Sequence, residues 1–441
     1  MRAVVVLVLA WASTALAQSS ETPRPITGFS VRGDSKTTDQ TAEYLSHVAV
    51  GARITSRDVA RIEEALLSSE LFKSVKVTLE DAPGGWLVVA TLDDKHSWVI
   101  APTVFLLSGN QAFGVGFAEN NFRGKNEKIL LYGQIGTRES LFFGTFLNPS
   151  ISGGPLSYRI DLYAYRRGLT EYENPTNDAT DASIARITTT TYLGFGGLIG
   201  FRPLWWLVAD LRFRGAYVTF RKTHLDDADS TPSPIPQNDG WDVSMQPRLT
   251  LDARHHRFGV TWGAYAQVIL DHSIPGLDDY DYSSALIRAY YSWRLLGEHQ
   301  LEVRAGGAIA RHLPLHEDYA LGGASDLRGY SVDRFRGDRR AFGRAEYSVP
   351  LFKWKIFAFR GIGFYDSGVI GFHDPRTVTD RGERRYLVTQ ARGIDRWRND
   401  VGLGLRVYIK AIVLPLLGFD VGYGIEGKSP AVYFEVGLTD F

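Results

Sequence analysis

The side chains with the clearest chemical potential include two histidines that are separated by three residues. His312 and His316 have the i, i+4 spacing that zinc enzymes use on a helix, but Pro314 between them predicts a loop. The chain contains no zinc-protease or nucleophile-elbow motif, and its lack of cysteine excludes thiolate metal sites and disulfide bonds. We therefore expect no catalysis, and we assign neither a cofactor nor a metal.

A cluster of aspartates, Asp278, Asp279 and Asp281, has the charge to bind calcium. Calcium loops place their acidic ligands at a spacing that glycine interrupts, and this spacing is missing here. We interpret the cluster as a solvated acidic loop. Over the whole chain, 49 acidic residues balance 49 basic ones, so no net field attracts nucleic acid.

The N-terminus, residues 1–17, is predicted to be a secretory signal peptide. Arg2 supplies the positive start, Val4 to Trp11 form the apolar stretch, and Ala15-Leu16-Ala17 resembles a cleavage site. The mature chain would then begin at Gln18. No later run of 18 apolar residues exists, so no membrane-spanning helix is predicted.

Residues 25–95 are predicted to form a small α+β domain. The expected elements, in the order β-α-α-β-β, are a strand at Ile26–Val31, helices at Thr38–Val48 and Thr55–Ser69, and strands at Phe72–Leu79 and Trp86–Leu92. The second helix has an apolar stripe at helical spacing, and a turn rich in glycine and proline joins the two last strands.

Residues 97–441 show a pattern of strands alone. We predict sixteen, beginning near residues 97, 111, 126, 138, 155, 184, 203, 239, 257, 282, 297, 339, 353, 397, 414 and 430. Polar and apolar residues alternate in several of them, for example where Asp210, Arg212 and Arg214 interleave with apolar neighbours. Many of these strands are as long as a tilted transmembrane strand, and longer than the strands of a soluble sandwich.

The connections between these strands are predicted to alternate between short and long. The long ones lie at 168–183, 221–238, 272–281, 311–338 and 368–396, and they all fall on one side if the first strand rises away from the small domain. Short periplasmic turns and long external loops are typical of outer-membrane barrels. We therefore predict a mainly β protein: a 16-stranded transmembrane antiparallel β-barrel, preceded by the α+β domain.

Two motifs in the barrel resemble those of a known family. The segment Leu321–Tyr330, LGGASDLRGY, resembles the VRGF/Y signature on the sixth external loop of the BamA, TamA and two-partner-secretion superfamily, with Leu327 in place of valine. Phe364–Gly368, FYDSG, resembles the F-x-D-x-G motif of the same family. The α+β domain looks like a POTRA domain, the periplasmic module of these proteins, so the resemblance covers nearly the whole mature chain.

The resemblance implies roles for particular residues. The sixth loop would fold into the lumen, where Arg328 pairs with Asp366 on the wall and Gly329 permits a close approach. Leu327 and Tyr330 complete the loop-six motif, and Phe364 and Gly368 complete the motif on the wall. Arg344 and Glu346 are expected to face the lumen, with ordinary water-facing charges without a specific partner as the alternative. A seam would join Ser97–Leu107 to Ser429–Phe441, weakened by Pro102, which lacks a backbone donor. The alternation in the last strand does not place Phe441 on the apolar face, so its register stays open.

The resemblance also implies a function. We expect a protein of the bacterial outer membrane that helps to insert or fold outer-membrane proteins, through a lateral seam and through capture of clients by an edge strand of the POTRA-like domain. Its partners would be the lipid bilayer, unfolded outer-membrane or secreted polypeptides, and periplasmic chaperones or accessory lipoproteins, with no role for nucleic acid. The alternatives are a polypeptide secretion pore, lipid handling, or a passive porin or adhesin.

Overall fold

The computed structural model describes residues 22–436, except for 108–109, 173–183, 225–236, 258–259, 356, 374–376, 381–382, 387–392, 395 and 410–414. The predicted signal peptide, 1–17, and Phe441 lie outside the described residues. None of the helices within the described ranges is long and apolar enough to cross a membrane.

The N-terminal part is a small α+β domain. Its elements are β1 (Arg24–Asp34), α1 (Asp39–Ser46), β2 (Arg53–Ile54), a 3₁₀ turn (Ser56–Asp58), α2 (Val59–Ser68), β3 (Phe72–Ala82) and β4 (Gly85–Asp94). They form a four-stranded sheet of order β2-β1-β4-β3, in which β1 and β4 are parallel. The two-residue strand β2 was not predicted, because it is too short to show a pattern.

Local sequence explains the helices of this domain. Thr38 caps α1, since its side chain accepts a hydrogen bond from the backbone N–H of Thr41 at 3.2 Å. In α2, Ile62 and Leu66 are one turn apart and both fully buried in the core of the domain. The sheet strands supply the other side of that core, for example Val88.

The rest of the chain is a closed barrel. Its first eleven strands are β5 (Trp98–Leu107), β6 (Asn110–Phe122), β7 (Glu127–Gly136), β8 (Glu139–Asn148), β9 (Leu156–Tyr172), β10 (Ile184–Leu204), β11 (Leu207–His224), β12 (Gly240–Arg257), β13 (Val260–Ser273), β14 (Ser283–Leu295) and β15 (His299–Arg311). The last five are β18 (Arg339–Trp354), β19 (Phe357–Phe372), β23 (Arg398–Ile409), β24 (Pro415–Gly424) and β25 (Ser429–Val436). Each strand is antiparallel to the next, and β25 closes the ring on β5.

Five short strands lie in two of the loops. β16 (Tyr319–Leu321) and β17 (Phe335–Gly337) form a hairpin in the loop between β15 and β18, and β20 (Thr377–Asp380) pairs with β21 (Glu383–Tyr386) in the next long loop. β22 (Gly393–Ile394) extends the pairing of β19. The closed barrel contains sixteen long strands, which confirms the predicted 16-stranded barrel.

Alternation along each strand separates two faces of the barrel wall. In β10, Leu193, Phe195 and Ile199 are each more than 60% exposed on the outer surface. In β9, Asp161 points inward and is 1% exposed, while its neighbours Ile160 and Leu162 lie on the outside. The wall therefore presents an apolar surface outward and a charged surface to the lumen, as a membrane barrel requires.

The long connections all lie on one side of the barrel, as predicted. The expected strict alternation of short and long connections is wrong, however, because 137–138 and 425–428 are short connections on that same side. The small domain lies against the opposite side. There the Thr38 N–H donates to the Gly124 carbonyl at 3.1 Å, and the His47 ring stacks on Trp205 with centroids 4.8 Å apart.

Candidate functional site: the lumenal loop and the barrel seam

The long loop at 312–338, which we call loop six, folds back against the inside of the barrel. Its hairpin positions the motif turn between β16 and β17. Gly322 and Gly323 have φ of 114° and 109°, a backbone conformation that favours glycine. Leu327 and Tyr330 are fully buried, in one apolar cluster with Leu321, Phe335 and Ile370. The loop is thus a packed element and its motif has a fixed orientation.

Arg328, at the tip of loop six, is fully buried against the wall. Its Nε donates to Asp366 Oδ2 at 2.8 Å, and its Nη2 donates to Asp366 Oδ1 at 3.0 Å. Its Nη1 donates to Glu346 Oε2 at 2.9 Å. The guanidinium carbon also lies 3.4 Å from the centroid of the Phe364 ring. A bidentate ion pair, a second carboxylate and an aromatic face together make a strong contact for one cation.

Arg344 contributes to the same cluster from the neighbouring strand. Its Nε donates to Asp366 Oδ1 at 3.1 Å, and its Nη2 donates to the Ala324 carbonyl of loop six at 2.9 Å. Asp366 therefore accepts from two arginines, one on the loop and one on the wall. Arg344 and Glu346 both face the lumen, where they hold the loop instead of being solvated charges.

Glycines allow the loop to touch the wall. A Cβ on Gly329 would lie 2.5 Å from Asp400 Cβ and 2.5 Å from the Gly424 nitrogen, so only glycine fits there. On the wall side, a Cβ on Gly422 would lie 2.2 Å from the Arg328 carbonyl oxygen. At Gly368 the crowding is milder, because a Cβ would be 3.0 Å from Leu321 Cδ1. Backbone thus packs on backbone across β23 and β24.

Tyr330 connects loop six to the end of the barrel wall. Its hydroxyl donates to Glu426 Oε2 at 2.7 Å, and Glu426 in turn accepts from the backbone and side chain of Asn399. The hydroxyl of Tyr433, on the last strand β25, donates to the Tyr330 carbonyl. The motif therefore spans the wall from β18 to the last strand.

Loop six has two further contacts with the wall that no sequence motif marks. Asp333 pairs with Arg138, in the turn between β7 and β8, and with Arg167 on β9. Near the start of the loop, Glu317 Oε1 accepts from Arg214 Nη1 at 2.7 Å. These residues lie in no motif, and only the closed ring brings them together.

His316, the histidine considered above as a metal ligand, lies beside the contact of Glu317 with Arg214. Its Nε2 is 3.0 Å from Asp242 Oδ2, and the donor atoms of Asp242, His316 and Glu317 lie within 4.8 Å of one another. Arg214 contacts both carboxylates, at 3.0 Å for Asp242 and 2.7 Å for Glu317. A guanidinium thus already neutralises the acids, so we interpret the cluster as a structural contact.

The acidic loop also has a structural role. Asp278 accepts hydrogen bonds from the backbone N–H groups of Val243, Tyr280 and Asp281 at 2.6–2.9 Å, and Asp279 accepts from Trp241 N–H at 2.6 Å. Burial raises the pKa of the Asp278 carboxyl, while those backbone donors oppose the rise. The loop is exposed at Asp279 and Asp281 and half-buried at Asp278, and the carboxylates of Asp278 and Asp279 also fix it to β12.

The seam between β5 and β25 is short in the described part of the chain. Its three pairs are Val104–Val436, Phe105–Glu435 and Leu106–Phe434, compared with ten pairs between β5 and β6. Toward the loop side, pairing with β5 stops at Phe434, although β25 begins at Ser429. Pro102 is exposed and faces the lipid side, two residues before the first of these pairs.

Together, the apolar outer wall, the charged lumen and the inserted loop define an outer-membrane β-barrel protein. The chain belongs to the Omp85 superfamily, because the model of the Omp85 superfamily domain matches residues 121–438. This match confirms the resemblance predicted from the motif residues of loop six.

Comparisons with individual proteins agree with this family. The chain is 24% identical over 440 residues to the outer membrane protein assembly factor BamA of Nitratidesulfovibrio vulgaris, which covers 93% of this chain. This chain spans about half of the length (50%) of that curated relative.

Solved structures share the fold. The crystal structure of BamA from Haemophilus ducreyi lacking POTRA domains 1–3 has a TM-score of 0.55 at 15% sequence identity. The match covers 93% of this chain and 84% of the BamA chain. CdiB from Acinetobacter baumannii has a TM-score of 0.60 at 14% sequence identity. The match covers 94% of this chain and 74% of the CdiB chain.

Proposed function

We propose that this protein assists the insertion and folding of other outer-membrane β-barrel proteins, with client strands engaging the edge of β25 at the seam. The observation that carries the proposal is the early end of pairing between β5 and β25, which leaves Ala431 to Tyr433 paired with β24 but not with β5 among the described residues. An exposed strand edge is a template for another strand, because its backbone donors and acceptors need partners. The similarity to an assembly factor supports the same function.

The N-terminal domain is proposed to act as a POTRA-like module on the periplasmic side. Its β3 is the edge of the sheet, next to β4, and is eleven residues long. An extended client segment can add to such an edge through main-chain hydrogen bonds, a mode known as β-augmentation. The proposed partners are unfolded outer-membrane polypeptides, delivered by periplasmic chaperones or accessory lipoproteins. The proposal involves no chemical reaction and no cofactor.

The proposal is tested by reconstitution. The full chain is inserted into lipid vesicles, a urea-unfolded outer-membrane barrel is added, and its folding is followed by resistance to protease. We expect faster folding than in vesicles without the protein, and loss of this effect when residues 25–95 are deleted. Unchanged folding with the full chain would overturn the proposal, and full activity of the deletion variant would count against β-augmentation.

A secretion pore is the second candidate, and one observation favours it. The lumen is lined with charged side chains, among them Asp161, Arg212 and Arg214, which suits passage of a hydrated polypeptide. Loop six crosses that lumen and must move before a polypeptide passes. Planar-bilayer recording separates these functions from a passive porin, since a porin gives large and steadily open conductance, whereas a barrel closed by loop six gives small and fluctuating conductance.

A further inference from the structure

Loop six contacts the barrel wall on both sides of the seam. On one side, the Tyr433 hydroxyl of β25 donates to the carbonyl of Tyr330 in the loop. On the other side, the loop contacts the turn between β7 and β8, and also β9, through Asp333. The junction of β25 with β5 lies between these two contacts in the ring. The loop therefore bridges the seam from inside the lumen.

The contacts of Asp333 are close and well shielded. Arg138 Nη2 donates to Asp333 Oδ2 at 3.2 Å, and Arg138 Nη1 donates to the carbonyl of Val332 at 3.2 Å. Arg167 Nη2 donates to the same carboxylate oxygen. The side chains of Asp333 and Arg138 are only 13% and 12% exposed.

Arg138 and Asp333 are held in place by their surroundings. The Nε of Arg138 donates to the carbonyl of Gly168 at 3.1 Å, which fixes the guanidinium on the wall. Burial alone would raise the pKa of the Asp333 carboxyl, but Arg167 and Arg138 lower it to about 2. Asp333 is therefore ionised at neutral pH and accepts charge-assisted hydrogen bonds.

We propose that Asp333 is a positioning residue that clamps the seam. Its ion pairs with Arg138 and Arg167 hold loop six across the junction of β25 with β5, and release of these ion pairs makes the seam easier to open. The inference rests on the proposed function, because that function requires the seam to open. It adds a specific residue, outside both family motifs, to the control of opening.

The positions of the loop contacts explain why the ion pairs of Asp333 act on the seam. Arg328 fixes the loop to β18 and β19, and Tyr330 fixes it to β25, all on the C-terminal side of the seam. On the N-terminal side, Asp333 makes the charged contact nearest the seam, and the contact of Glu317 with Arg214 lies two strands further round the ring, on β11. With Asp333 neutralised, the strands next to the seam lose their charged contact with the loop, and β25 separates from β5 with fewer contacts to break.

The chain offers a clean way to measure the seam because it contains no cysteine. Leu106 and Phe434 are directly opposed across the seam. Opposed residues of an antiparallel pair are close enough for a disulfide bond. In the Leu106→Cys and Phe434→Cys double variant, reconstituted in phospholipid vesicles, the rate of disulfide formation after mild oxidation reports how often the seam is closed.

We expect Asp333→Ala to lower that rate by roughly threefold or more, because a buried ion pair that loses one partner is strongly destabilised. Arg138→Ala combined with Arg167→Ala should lower it to a similar extent, and adding Asp333→Ala to that pair should change little further. Asp210→Ala is the matched control. Asp210 is also a shielded lumenal carboxylate paired with an arginine, Arg248, but the pair lies within the wall and should leave the rate unchanged.

The outcomes separate this inference from the proposed function. A parental rate in the Asp333→Ala variant, with the barrel folded as judged by heat-modifiable migration on gels, would overturn the clamp. An equal fall in the Asp210→Ala control would also overturn it, because the effect would then be general. If the Asp333 variants behave as expected but no variant accelerates client folding, the clamp stands and the assembly function fails.

Discussion

The contact of Arg328 with the wall gives the most detailed prediction. Replacing Arg328 with alanine removes a bidentate pair with Asp366, a hydrogen bond to Glu346 and a stacking contact with Phe364. Losing one partner of a buried ion pair typically costs about 3–5 kcal/mol. Arg344 remains 3.1 Å from Asp366 and partly compensates that carboxylate, so we expect the lower end of this range.

The cost falls on the position of the loop and leaves the barrel intact. Each 1.4 kcal/mol is a factor of ten, so a loss of about 3 kcal/mol raises the population of detached loop six by roughly a hundredfold. The barrel keeps its ladder of backbone hydrogen bonds and should still insert. Hydrogen–deuterium exchange of the backbone amides at 322–334 measures the change directly, and limited trypsin cleavage after Arg334 and Arg336 measures it independently.

A matched variant shows whether the effect belongs to loop six. Arg248→Ala breaks a pair with Asp210 inside the wall, at a distance of 2.5 Å. It should leave exchange at 322–334 unchanged. Parental protection of the loop in Arg328→Ala, or equal deprotection in Arg248→Ala, would refute the reasoning.

Three further predictions test other contacts. Gly329→Ala should detach the tip of loop six although Arg328 is kept, because the added Cβ would be 2.5 Å from Asp400 Cβ. Gly197 has open space around it, so the control variant Gly197→Ala should leave the loop attached. Hydrogen–deuterium exchange at 322–334 distinguishes the two variants. Tyr433→Phe removes one hydrogen bond between loop and last strand and should weaken the closed seam by about 1 kcal/mol, seen as slower disulfide formation between positions 106 and 434. Burial, together with repulsion from Arg202 and His255, lowers the pKa of His47 to about 4 in the docked small domain. Because the undocked ring protonates near its ordinary pKa, docking should weaken as pH falls from about 6.5 to 4, by on the order of 1 kcal/mol since the ring is partly exposed. The fluorescence of Trp205, which stacks on His47, should follow this change in the parent but not in His47→Gln.

Most of the barrel was predictable because its pattern is repeated sixteen times. Alternation in single strands sets which residues face lipid, and the observed starts lie within a few residues of those expected, for example Ser283 against 282. Strand β2 and a short early loop were missed for opposite reasons. A two-residue strand carries no period, while an assumed regular alternation of loop lengths concealed the two-residue connection at 137–138.

The contacts of the site were predictable only where a motif marks them. Arg328 and Asp366 came from the resemblance, and the structure brings them together with Glu346 and Arg344. Asp333 and its two arginines are 166 and 195 residues apart in sequence, and no local pattern connects them. Such contacts follow from ring closure, which brings strands that are distant in sequence to face one another across a lumen.

The most direct measurement of the central claim uses the seam itself. In vesicles, the double-cysteine variant at Leu106 and Phe434 is compared in its oxidised and reduced forms for acceleration of client folding. We predict that the oxidised form, whose seam is covalently closed, does not accelerate folding, and that reduction restores the parental rate. Equal acceleration by the oxidised form would contradict the account, because clients would then fold without the edge of β25.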